Sequence, residues 1–235
     1  MALPKLNTAP KYELTVPSTK QKLRFRPFLV KEQKVLLIAY ESQDRRTIIQ
    51  AILDTIDACA DEIDVKKLTT FDVDYIFTNI RSKSVGEKVK INMTCQSCSM
   101  ENEIDVDLDN IDIKVDDIDM AIKLNDQISL KMKYPDYGYF LRNESFFENK
   151  TAADAIISLV SSCIDSVQTE EENFKIADES FEEVDTFINS LSAEQFAKIQ
   201  AFIEKLPKLT KDINYNCIKC GTENKTVLEG LDDFF

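Results

Sequence analysis

Residues 91–102 read INMTCQSCSMEN, and residues 213–224 read INYNCIKCGTEN. The segments lie 122 positions apart and agree at six of twelve positions: the leading Ile-Asn, both cysteines and the closing Glu-Asn. Each sets a C-x-x-C at the tip of a predicted β-hairpin, and two such pairs supply the four thiolates that a tetrahedral zinc ion requires. The interval from Cys98 to Cys217 is far longer than in an ordinary zinc finger. The expected structure is a zinc ribbon split by a large helical insertion, which pins the C-terminal end back onto the middle of the chain. Cys95, Cys98, Cys217 and Cys220 are the expected ligands. The ion is expected to be structural, because a closed four-cysteine site leaves no open position for catalysis. Four reduced core cysteines are the alternative reading, and the repeated frame argues against it. A redox role needs a thioredoxin-like βαβ context, which the surrounding pattern lacks.

The 235 residues, 43% of them apolar, suffice for one substantial core or two modest ones. No run of 18 apolar residues occurs, so no membrane span is expected. The opening MALPKLNTAPKYEL has no apolar stretch of the signal-peptide kind, which points to a cytosol, where thiols stay reduced and bind metal rather than pair. The formal net charge is −13, and the densest basic stretch is Lys20, Lys22, Arg24 and Arg26, alternating as one face of a strand. A nucleic-acid partner would need a broader cationic footprint, and none is expected. The chain contains no histidine. That excludes Ser-His-Asp and Cys-His catalysis, mixed cysteine–histidine zinc fingers and the H-E-x-x-H helix. With only four glycines, no phosphate-cradling loop is found. The expectation is a protein without enzymatic activity or a small-molecule substrate.

Residues 12–26 read as a hairpin turning at Pro17-Ser18, with Pro27 ending its second strand. Apolar spacing predicts helices over 29–40 and 44–59, and Thr69 with Asp72 forms a candidate capping box for a third helix. The first cysteine hairpin follows, as Lys88–Met93 and Asn102–Leu108. Alternation over 111–134 predicts at least two further strands, notably Ile122–Lys133, closed by Pro135. Thr151 with Asp154 caps a predicted helix over 152–164, the acidic 165–180 reads as a loop, and a helix over 180–190 comes next. Ser192 with Gln195 opens a helix that Pro207 ends. The expected class is α+β: split zinc-ribbon hairpins and antiparallel strands, with an N-terminal hairpin and helices and a helical insertion between the knuckles. The segments are 1–86 (hairpin and helices), 87–134 (first zinc hairpin and strands), 135–210 (helical insertion) and 211–235 (second zinc hairpin and tail). The last three, 87–235, are expected to form one unit.

Other chemistry-bearing residues read as ordinary structure. Cys59 and Cys163 sit on apolar helical faces as small buried hydrophobes. Asp105, Asp107 and Asp109 have the spacing of a calcium loop, but Asn110 stands where such a loop needs Gly, and Asp116 where it needs Glu. Glu144, Glu148, Glu171, Glu172, Glu182 and Glu183 read as solvated faces. Phe234 and Phe235 end the chain as an apolar pair that needs a cover, either by packing or by an interface.

Three stretches together resemble the baseplate hub assembly proteins of T-even-like contractile-tailed phages: FRPFLVKEQKVLLIAYESQD (25–44), SLSAEQFAKIQAFIEKLPKL (190–209) and CIKCGTENKTVLEGLDDFF (217–235). The resemblance implies a phage protein of the baseplate hub, either a built-in subunit or a factor that helps hub proteins assemble. It implies hub and tail proteins as partners, the host cytoplasm during assembly or the virion tail baseplate as location, and no catalytic chemistry. The zinc expectation rests on the cysteines, not on the resemblance. The first stretch sets two phenylalanines, a proline and a mostly apolar helix beside arginines. Phe25, Arg26, Phe28 and Leu29, with Phe234 and Phe235, are therefore the expected partner surface, and plain core packing is the competing reading. A zinc-ribbon regulator touching nucleic acid or polymerase is the alternative class, disfavoured by the charge.

Overall fold

Pro17 and Ser18 turn the chain between β1 (Tyr12–Thr15) and β2 (Lys22–Phe25), an antiparallel pair in which Tyr12 faces Phe25. The computed structural model describes residues 9–108, 111, 113, 115–142 and 151–233, which fall into two compact units. The first comprises residues 1–65, 71–114 and 208–235, and the second 66–70 and 115–207.

In the first unit α1 (Val30–Ser42) ends at Gln43, whose left-handed φ of 54° lets its amide close back on the Tyr40 carbonyl. Asp44 then caps α2 (Arg45–Cys59) by accepting the Thr47 amide at 2.9 Å. The helical spacing of Ile49, Ile52, Leu53 and Ile56 buries one face of α2, while Phe71, Val73, Ile76, Phe77 and Ile80 bury α3 (Thr70–Val85). Asp72, the expected capping partner of Thr69, lies in the first turn of α3. Its fully buried carboxylate accepts both the amide and the hydroxyl of Ser18, which fastens the β1–β2 turn to α3. Two hairpins complete the unit: β3 (Lys88–Thr94) with β4 (Glu101–Asp107), and, far along the chain, β9 (Thr210–Asn216) with β10 (Glu223–Glu229).

The second unit is built on an antiparallel sheet in the order β5 (Ala121–Lys123), β6 (Ser129–Met132), β7 (Ile164–Gln168), β8 (Asn173–Lys175). Four helices accompany the sheet among the described residues: α4 (Tyr137–Arg142), α5 (Ala152–Cys163), α6 (Phe181–Asn189) and α7 (Ala193–Ile203). Leu130, Val160, Cys163, Ile164 and Ile199 lie at its centre, each 1% exposed or less. The capping boxes expected at Thr151/Asp154 and Ser192/Gln195 are present, and Ser180/Glu183 forms a third.

Several local expectations change. The single strand over Ile122–Lys133 is a hairpin, because the Asn125 side chain accepts the Gln127 and Ile128 amides and folds the chain over. The 165–180 loop contains β7 and β8. Ile164, Ser166 and Val167 are buried as β7 pairs with β6, and the acidic run forms only the turn, held by Thr169. Helix α4 was not expected. It starts where Asp136 accepts the Tyr139 amide at 2.6 Å. Because β6 pairs with β7, β5 and β6 join the helical insertion, and the unit boundary cuts through the 87–134 segment.

Candidate metal centre

The two cysteine hairpins obey a single offset of 122 residues throughout. Strand limits coincide (88 with 210, 107 with 229), and so does register: Met93 faces Asn102 as Tyr215 faces Asn224. Even the closing bonds match, Leu108 N–H to Glu87 C=O at 2.7 Å and Gly230 N–H to Leu209 C=O at 2.9 Å. The structural repeat thus covers twenty residues where the sequence repeat covers twelve.

At each tip the knuckle closes identically. Cys95 N–H donates to Met100 and Ser99 N–H to Cys95 C=O; Cys217 N–H donates to Thr222 and Gly221 N–H to Cys217 C=O, at 2.9–3.0 Å. The residue after the second cysteine is left-handed in both, Ser99 at φ 55° and Gly221 at φ 71°, a conformation that glycine adopts freely and serine does not.

These knuckles bring Cys95, Cys98, Cys217 and Cys220 together, with all four sulfurs within 4.8 Å of one another. Across the hairpins, Cys95 Sγ lies 3.7 Å from Cys220 Sγ and Cys98 Sγ lies 3.6 Å from Cys217 Sγ. Four sulfurs at about 2.3 Å around one tetrahedral ion stand about 3.8 Å apart, so the donor set fits a thiolate-bound metal. The sulfurs are unbridged. Amides of Cys98 and Ser97 aimed at Cys95 lower its thiol to about 6, and the Thr222 hydroxyl and amide lower that of Cys220. The Met100 amide draws Cys98 down, but desolvation and the neighbouring sulfurs outweigh it and push Cys98 up to about 12. Crowded thiols share protons because their charges repel, and a cation at the centre removes that conflict.

Two buried asparagines, whose roles were not foreseen, border the sulfurs. Asn102 Oδ1 accepts the Ile218 amide at 2.9 Å, and Asn224 Oδ1 accepts the Gln96 amide at 3.0 Å. Each therefore grips the opposite knuckle at the residue after its first cysteine. The signal was in the sequence, as the closing Asn of the repeat.

The remaining candidates separate plainly. Cys59 and Cys163 are buried, and desolvation pushes both thiols up to about 11. Asp105 is exposed on β4 opposite Lys90, while Asp109 lies outside the described residues, as do Glu144, Glu148, Phe234 and Phe235. Phe25 is a core residue, 2% exposed and stacked on Tyr12 with ring centroids 5.7 Å apart. Arg26 is turned inward by its ion pair with Glu32 at 2.9 Å, and Phe28 is half-buried. Only Leu29 of the described residues in that group is exposed. The apolar surface continues onto α1, where Val30, Leu37 and Ile38 are 67%, 55% and 67% exposed.

The fold and site define an α+β protein whose chain is doubled back on a four-thiol cluster with the donors for a metal ion. Residues 9–235 match the family described as T4 bacteriophage base plate protein. The chain belongs to that family and is a phage baseplate structural protein of the virion tail. No curated protein and no solved structure matches it. Among the described residues, no helix is long and apolar enough to cross a membrane.

Proposed function

We propose that the protein acts in the baseplate hub, as a subunit or assembly factor working through protein–protein contacts, with zinc held by Cys95, Cys98, Cys217 and Cys220 as its structural staple. In this reading hub proteins are its partners, met first in the host cytoplasm during assembly. The observation that carries it is the outward face of α1. Glu32, Leu36 and Ala39 turn one stripe of the helix inward, and the opposite stripe leaves Val30, Leu37 and Ile38 in solvent. Beside it runs a groove of about 440 Å³ between α1 and α2, lined by Val35, Ile38, Ala39, Gln50 and Asp54 among others. An apolar surface of this kind on a charged protein marks an interaction site. Lys34 and Glu41 stand within the stripe, four residues after Val30 and Leu37, and Arg46 and Asp54 line the groove, so its complement is an apolar hub segment with charged neighbours of both signs.

The test is Leu37→Glu with Ile38→Glu. Both side chains are solvated, so the double variant is expected to fold and melt like the parent while losing co-purification with hub proteins and failing to support infectious particles. Retained hub association would overturn the docking surface. Salt-sensitive retention on nucleic acid by the parent protein would instead support the regulatory reading.

A further inference from the structure

Of the four repeated residues other than cysteine, Asn92 and Asn214 face solvent, as do Glu101 and Glu223, while Ile91 is half-buried and Ile213 buried. Asn102 and Asn224 stand apart. They are 0% and 2% exposed, and each reaches across to the other hairpin. Each amide nitrogen is also engaged at home, Asn102 Nδ2 on Met100 C=O at 2.8 Å and Asn224 Nδ2 on Thr222 C=O at 2.9 Å. The side chain thus bridges its own knuckle to its neighbour's. Asn224 Nδ2 additionally lies 3.6 Å from Cys95 Sγ, within reach of a ligand sulfur. The buried asparagine side chains have no water to replace these partners, so each holds its partner hairpin through the bond. None of these bonds involves an ion.

We propose that Asn102 and Asn224 form a reciprocal latch that joins the two knuckles and presets the four sulfurs before a metal arrives. This rests on reading the four cysteines as a metal centre, in which the asparagines act as positioning residues rather than ligands. The latch explains why the closing Asn is repeated along with the cysteines: two equivalent knuckles around one ion need two equivalent grips. It also relieves the ion of finding two hairpins separated by 119 residues of chain, because the loop is already closed when the metal binds.

The experiment follows amide hydrogen exchange by NMR on the full chain, with zinc and after chelation, alongside zinc and cobalt affinities by competition. In chelated parent protein the Gln96 and Ile218 amides are expected to stay protected. Exchange at the free-chain rate would overturn the latch. Asn102→Ala should release the Ile218 amide and Asn224→Ala the Gln96 amide, each with a roughly 10–100-fold weaker metal affinity, the range typical of groups that orient ligands. Asn102→Asp keeps an acceptor for Ile218 and should restore that amide's protection, which a nonspecific packing defect would not show. Unchanged affinities and unchanged exchange in both alanine variants would also overturn the latch. A parent protein that binds neither ion would refute the metal reading alone, since the exchange pattern still reports on the latch.

Discussion

Replacing Cys217 by serine removes one sulfur and almost no volume, so its effect isolates what an ion contributes. Cys217 is 3% exposed, and its sulfur lies 3.6 Å from that of Cys98, 119 residues away. An ion that binds only the folded chain stabilises it by about 4 kcal/mol at a thousandfold excess over its dissociation constant. An ion that instead stays on both knuckles through unfolding cross-links a loop of 119 residues, worth about 5 kcal/mol in chain entropy. The two limits agree in size. At about 3 °C per kcal/mol for a unit of this length, Cys217→Ser lowers Tm by about 12–15 °C. Native mass spectrometry should find one ion on the parent and none on the variant. Calorimetry after chelation should bring the two melting curves within about 2 °C, because serine matches a metal-free thiol in shape. A variant that keeps a stoichiometric ion, or melts with the untreated parent, would falsify the shared site.

Ile199→Ala, at a fully buried position of α7, should cost about 2–5 kcal/mol, measured by urea unfolding. Ser99→Gly should raise stability by up to about 1 kcal/mol, because serine at φ 55° holds the position that Gly221 fills in the other knuckle. Glu32→Gln removes the charge from an inward-facing carboxylate that accepts the Leu29 amide at 2.8 Å and pairs with Arg26, and should cost about 1.5–3 kcal/mol at neutral pH. Burial pushes the Glu32 carboxyl up, but Arg26 and the Leu29 amide outweigh it and hold it below its ordinary value. A depressed folded pKa gives stability that is present above the unfolded pKa and lost as pH falls through the folded one. The gap between parent and Glu32→Gln should therefore close in acid, and a gap that widens there would refute the assignment.

The first cysteine hairpin was legible to within a residue, and the second in kind, because their signal is local and doubled: a spaced pair of thiols, a turn and alternation on each side. Capping boxes at Thr151 and Ser192 were legible for the same reason. What escaped depends on partners distant in sequence. The strand at Ile164–Gln168 is recognisable as one only beside β6, since five residues after a helix carry too little alternation by themselves. Phe25 read as a surface anchor because its neighbours are arginines, yet Tyr12, thirteen residues earlier, covers it. Conversely, the apolar helix that follows read equally as partner surface and as core, and which residues lie outward, Val30, Leu37 and Ile38, emerges only when the inward stripe of α1 is seen to run through Glu32, Leu36 and Ala39.

The insertion leaves the first hairpin after Leu108 and returns at Leu209, and the same backbone bond closes the ribbon beside each of these points. The second unit is therefore tethered at both ends to hairpins that the latch and the four-thiol cluster hold together. Such tethering couples the insertion to the hairpins through chain connectivity. While the insertion is folded, the two hairpins close without ordering a hundred-residue coil. If the insertion melts, the same closure works against a flexible loop, where each doubling of length adds about 0.6 kcal/mol. The reverse holds equally: a closed ribbon reduces the entropy that the unfolded insertion can gain. The cysteine repeat lies at the point where that coupling acts.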